Sequence, residues 1–204
     1  MSALAAPSPR PILLADHLIQ RRGLVTDAVL VLAGVSVVAL LAQVSIPLWP
    51  VPVTGQTLAV MVVGASLGAR RAAAALTTYL IAGLAGLPIF AGAVGGPAAV
   101  ATPSFGFIIG FIFAAAFIGW LAERHWDKRP LLALAGFLGA SIIPFLIGVP
   151  YMGMILGLLG APNDPATLIA LGVTPFLLGG VIKWVLAAML MPLAWRGVRA
   201  AERR

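Results

Sequence analysis

Apolar residues in this chain fall in long unbroken runs, set apart by short clusters of charge, Pro or Gly, instead of alternating with polar residues at helix or strand spacing. A helix that crosses a bilayer needs about 20 mostly apolar residues at about 1.5 Å rise each. Six runs approach that size: residues 25–46, 54–67, 72–89, 105–122, 131–149 and 174–195. The pattern therefore predicts an all-α membrane protein of six transmembrane helices. The first helix is expected to start at an N-cap, Thr26, with Asp27 in its first turn, and to stop at Pro47, Pro50 and Pro52. The second run is short, which points to a tilted or partly unwound helix.

Charge supports this division and orients it. Lys and Arg cluster at Arg10, Arg21 and Arg22, at Arg70 and Arg71, at Arg124, Lys128 and Arg129, and at Arg196, Arg199, Arg203 and Arg204. These clusters fall on every second connection, whereas residues 47–53, 90–104 and 150–173 contain no Lys or Arg. Basic loops stay on the cytosolic side. Both termini are thus expected to be cytosolic, as an N-terminal tail over 1–23 and a basic C-terminal tail over 196–204, with the whole chain a single membrane domain in the cell (plasma or inner) membrane. The composition agrees: 61% hydrophobic, 9% charged, mean hydropathy +1.08. A net charge of +7 would raise nucleic acid as a partner of a soluble protein, but charges split between loops do not form one basic face. Membrane lipid is the expected surrounding. The first 20 residues lack the order of a cleavable signal peptide.

Several chemistries are set aside by what the chain lacks. It has no cysteine, no G-x-x-x-x-G-K-S/T phosphate loop, no G-x-S-x-G and no H-E-x-x-H. His17 and His125 have no neighbour at metal-ligand spacing, so neither a metal nor a cofactor is expected, and the chain is not read as an enzyme. Glycines four apart, Gly64 with Gly68, Gly106 with Gly110 and Gly153 with Gly157, let helix backbones approach closely, within the chain or at a partner interface.

One basic residue lies well inside a predicted span. Lys183 is nine residues into the last helix, about 13 Å deep, where a cation costs on the order of 2.5–3.5 kcal/mol and normally faces a cavity or a partner. Beyond Asp27 in the first turn of the first helix, no carboxylate occurs inside the six runs, so a protein counter-ion would have to be Asp164, from the outer loop. A backbone carbonyl at a loop end is the plainer alternative. The outer segments carry Pro47, Pro50, Pro52, Thr54, Gly55 and Gln56, then Phe90, Gly92, Gly95, Gly96 and Pro97, then Pro150, Tyr151, Pro162 and Pro165, a composition suited to tight turns and close backbone approach to a ligand. These segments and Lys183 are expected to meet on the outer face.

The stretch Pro50-Val-Pro-Val-Thr-Gly-Gln-Thr-Leu-Ala59 resembles the P-x-P-I/V-T-G-Q-T segment of the BioY family. Gly68-Ala-Arg-Arg71 and Ala85-Gly-Leu-Pro-Ile-Phe-Ala-Gly92 are similar to its G-x-K/R-R/K and G-L-P-V/I-F-A-G patterns, and Gly179 to Lys183 stands where its last helix carries P-G-D-x-x-K. The resemblance implies six helices, biotin as ligand near the outer surface, and a role as the S component of an energy-coupling-factor transporter with a transmembrane coupling subunit and two cytosolic ATPases. The residues it singles out with the composition are Lys183 at a polar end of the ligand, Gln56, Phe90, Gly92, Gly95 and Gly96 around the entrance, and Thr54 and Tyr151 beside them.

Two departures stand out. Gly180 occupies the position of the family Asp, and Leu178 that of the Pro, so Lys183 has no partner three residues away on its own helix face. Ligand affinity is then expected to rise as Lys183 becomes protonated. The first helix also lacks an A-x-x-x-A docking pattern, although Ala28, Ala33, Gly34 and Ala39 offer a smooth face. The alternatives are a self-sufficient carrier without ATPase partners and a membrane scaffold whose Lys183 binds lipid phosphate.

Overall fold

The computed structural model describes residues 13–18 and 23–202. Arg10, Arg21, Arg22, Arg203 and Arg204, and the side chains of His17, Leu178 and Arg199, lie outside the described residues. The chain runs α1 (Leu14–Leu18), α2 (Leu24–Gln43), β1 (Ser45–Ile46), β2 (Val53–Thr54), α3 (Gln56–Leu67), α4 (Ala69–Leu84), α5 (Phe105–Ala122), α6 (Pro130–Leu158), α7 (Pro165–Gly172) and α8 (Thr174–Glu202). Short 3-10 turns at Pro97–Ala101 and Trp126–Lys128 precede α5 and α6.

Among the described residues, α2, α5, α6 and the run Pro165–Gly197 are long and apolar enough to cross a membrane. Lengths of 12 and 16 residues leave α3 and α4 below that size, so four of the six expected spans have the required length here. One face of α2 and of α8 carries exposed large apolar side chains, Leu32, Leu40, Ile182 and Leu190 among them. Hydrocarbon, not water, is the solvent such a surface suits. Inside, α3 and α5 form the centre. Ala59, Ala65, Ala115 and Val38 of the neighbouring α2 are fully buried.

Glycine sets the closeness of this packing. A Cβ on Gly64 would sit 2.9 Å from the Ala115 carbonyl oxygen, and one on Gly110 2.6 Å from the Pro144 Cα. Gly106 meets Tyr151 in the same way, while Gly153 faces Leu168 and Gly157 faces Asn163. All three glycine pairs thus pack within the chain.

Several boundaries differ from the sequence reading, each for a local reason. Gly23, not Thr26, stands at the N-cap position of α2, and Asp27 in its first turn pairs with Arg71, at 2.7 Å. The first helix ends at Gln43, since Ser45 and Ile46 pair antiparallel with Thr54 and Val53 to make a two-stranded hairpin in an otherwise helical fold. The third run gives a helix from Ala69 to Leu84, starting at the break where Gly68 adopts φ 80°. Pro150 does not stop α6, which continues to Leu158. A helix not foreseen, α7, starts where Asp164 accepts a bond from the Thr167 amide, 3.1 Å, with Pro at its first position. The expected tails also have structure: Leu13 and Ala15 are buried against the bundle, and α8 carries the basic C-terminal segment as helix to Glu202.

Candidate functional site

Where α2 and α4 end and α3 and α5 begin, a cavity of about 120 Å³ opens between the hairpin, the 85–104 connection, α5, α6 and α8. Its apolar wall is a group of three rings, Phe107 with Phe145 at 5.8 Å and with Phe176 at 6.1 Å between centroids. Room for this group exists because residue 148 is Gly: a Cβ there would lie 2.4 Å from the Phe107 ring. The polar wall comes from the start of α3, Thr54 to Thr57, from Thr102 and Ser104, and from Lys183 across the cavity on α8.

Lys183 donates to the backbone carbonyl of Thr54, its one hydrogen-bond partner among the described residues. The loop-end carbonyl considered from sequence is therefore present, and the ammonium still has protons to offer into the cavity it lines. Among the described residues Asp164 makes no ion pair with Lys183; it caps α7, with its two oxygens bonded by Thr167 at 3.1 and 2.6 Å. Gly180 faces Trp184, whose ring would lie 3.1 Å from an added Cβ and whose indole N–H donates to Ser141, 2.6 Å.

A chain of hydrogen bonds ties the two sides of the mouth together. The Thr54 hydroxyl donates to Gln56 Oε1, 3.0 Å, and accepts from the Gln56 amide, 3.2 Å. Gln56 Nε2 donates to the Tyr79 hydroxyl, 2.9 Å, which donates in turn to the Ile89 carbonyl, 2.9 Å. Next along the loop, Phe90 is held by its backbone, with its carbonyl accepting from Gln43 Nε2 at 3.1 Å, while its ring fills the notch beside Gly83. Gln43 Oε1 also accepts from the Ala93 amide, 3.0 Å, stabilising a residue whose φ of 56° is unusual for alanine. Gln56 uses one amide N–H and one Oε1 lone pair on the protein, which fixes its place in the wall.

Of the residues expected from sequence, Thr54, Gln56, Phe90 and Lys183 line this cavity together. Gly92, Gly95 and Gly96 lie outside the lining and shape the loop: Gly92 and Gly96 have positive φ, and a Cβ on Gly95 would meet the Leu87 carbonyl at 2.2 Å. Tyr151 sits in α6, off the cavity, and donates to the Val100 carbonyl, 2.5 Å. Sequence reasoning passed over Tyr79, Gln43, Thr57 and the phenylalanine group. A polar Tyr79 inside an apolar run was the available signal.

The chain matches the profile of the BioY family over residues 13–200. The chain belongs to the BioY family. Among relatives of this BioY chain, the biotin transporter BioY of Rhizobium etli is 37% identical over 158 residues, covering 74% of this chain and 81% of the relative. The biotin transporter BioY of Thermotoga maritima is 36% identical over 149 residues, covering 73% and 83%. The fold is also that of a solved structure, the S-component for biotin from an ECF-type ABC transporter, with a TM-score of 0.62 at 24% identity over 84% of this chain and 92% of the other. This BioY-family chain is accordingly a multi-pass membrane protein, with transporters, not enzymes, as its relatives.

Proposed function

We propose that this chain captures biotin at the outer face of the cell membrane and delivers it inwards as the substrate-binding subunit of an uptake transporter. A transmembrane coupling subunit and two cytosolic ATPases supply the energy in this reading, and the absence of a phosphate loop from the sequence accords with it. Helices α3 and α4 complete six crossings with both termini inside. The names of the relatives support the ligand, and the charge-poor cavity end supports the orientation.

The observation that carries the proposal is the setting of Lys183. An ammonium in an apolar cavity of rings, tied once and otherwise open, suits a ligand with an apolar body and a polar or anionic end. Biotin has that form. Equilibrium binding of biotin to the purified chain tests it: tight binding is expected, with Lys183→Ala weakening it by about 10- to 100-fold, the loss of one charge-assisted hydrogen bond. Absence of binding by the unsubstituted chain would sink the reading.

A further inference from the structure

Between Pro175 and Ala194, α8 carries only two polar side chains, Lys183 and Trp184. Ile182, Val185, Leu186, Met189 and Leu190 are exposed on its outer side. Lipid is as apolar as these side chains, so burial gives a helix of this kind little preference for one rotation about its axis over another. Polar contacts between helices then decide it.

Trp184 makes such a contact. Its indole N–H donates to the Ser141 hydroxyl on α6, 2.6 Å, and that hydroxyl donates in turn to the Phe137 carbonyl, 2.8 Å. The ring lies over Gly180, one turn earlier, where an added Cβ would stand 3.1 Å from it, so the bare backbone at 180 makes room for the indole. Ala188, Met191 and Trp195 continue the same face and are buried, and the Trp195 indole N–H donates to Asp127. Two indoles about three turns apart therefore hold one face of α8. The second is the weaker guide to the site, because Pro192 lies between them and interrupts the helix ladder. Lys183 projects about 100° round the helix from Trp184, above the fully buried Ala187, and reaches the Thr54 carbonyl. A roll of α8 that parts Trp184 from Ser141 carries the Lys183 ammonium along the cavity wall.

We propose that the hydrogen bond from Trp184 to Ser141 is the positioning contact of the site, fixing the rotation of α8 so that Lys183 is aimed across the cavity at the polar end of the ligand. Neither Trp184 nor Ser141 lines the cavity, and both act through the lysine. A binding group is effective only when packing and supporting hydrogen bonds hold it within about 0.5 Å of its productive place. The inference rests on the reading of the cavity as a biotin site with Lys183 as its cationic contact.

The test is a double-mutant cycle on the full purified chain, with equilibrium binding of biotin and unfolding temperature measured for every variant. Trp184→Phe removes the N–H and leaves Ser141 its bond to Phe137, so biotin is expected to bind about three- to tenfold more weakly. In a chain that already carries Lys183→Met the same substitution should leave affinity unchanged, because the group it aims is gone. Ser141→Ala should behave as Trp184→Phe does, whereas Ser141→Thr, which keeps the hydroxyl, should retain affinity. Equal losses in the two backgrounds would make Trp184 a support of the fold alone and overturn the proposal, as would undiminished affinity of Trp184→Phe. An unsubstituted chain that fails to bind biotin, or binds it no better than Lys183→Met does, would remove the underlying reading, and this inference with it.

Discussion

Tyr79 is fully buried, and its hydroxyl links the α3 wall of the site to the loop that carries Phe90. Tyr79→Phe keeps the ring, which packs edge-on against Phe90 at 5.4 Å, but leaves the Gln56 amide and the Ile89 carbonyl short of a partner. The expected cost is about 1–3 kcal/mol in stability, read as a lower unfolding midpoint, together with faster release of bound biotin in a dissociation measurement. Asp127, in the turn before α6, carries a different burden. It is buried, accepts from the Trp195 indole, and has its other oxygen unpaired among the described residues. Burial, chiefly, pushes its carboxyl above the usual range despite that bond and nearby Lys128. A raised carboxyl favours the protonated fold, so its contribution is present at low pH and is lost as pH rises through the folded value. Asp127→Asn should therefore raise the unfolding midpoint by a few degrees at neutral pH and give no advantage in acid. Lys183, Gln56, Thr54 and Phe90 were legible in the sequence because a lone cation in an apolar run is too costly to keep without a use, and the other three sit in motifs at the edges of such runs. Tyr79 and Gln43 were not, since their meaning lies in partners 10 to 50 residues away in the chain.

At the level of elements, the glycine faces and the prolines of α6 work against each other in a useful way. Pro144 and Pro150 each remove an amide from the helix ladder, leaving the carbonyls of Ala140 and Leu146 without the usual donor. Within a membrane a helix continues through such points when its neighbours hold it, which is why Pro150 misled the sequence reading as a stop. The neighbour here is α5, drawn onto α6 by Gly106 and Gly110. Gly110→Leu would force a side chain into the Pro144 backbone, and a cost of at least about 1–3 kcal/mol is expected. The check is the yield of monodisperse protein on size exclusion, which should fall sharply, while Gly139→Leu, at a position open to 3.9 Å, should leave it unchanged. Span α5 was legible to the residue because apolar length defines it. The hairpin and α7 were hidden, one being two residues per strand and the other a capped helix inside a stretch whose Pro and Gly suggested loop.

Across the whole molecule, the ion pairs and the ring-lined cavity occupy opposite ends. Arg71 joins Asp16 at 2.5 Å and Asp27 at 2.7 Å, and Glu123 accepts from the Ala69 amide, 2.9 Å, all where α2 and α4 begin and α5 finishes. The far end, around the hairpin and the 85–104 connection, is held by neutral hydrogen bonds and by rings, and Lys183 brings a charge into its cavity. The two ends thus answer to different variables. Dissolved ions screen exposed pairs over about 8–10 Å and leave neutral bonds in a dry cavity almost untouched. Arg71 and Asp16 are partly buried, so raising the ionic strength should loosen the Leu13–Leu18 segment only modestly, seen as slightly faster hydrogen exchange there, with exchange around Phe90 unchanged. A molecule built in this way lets the medium on one side of a membrane tune how firmly one end is fastened without altering the grip of the other.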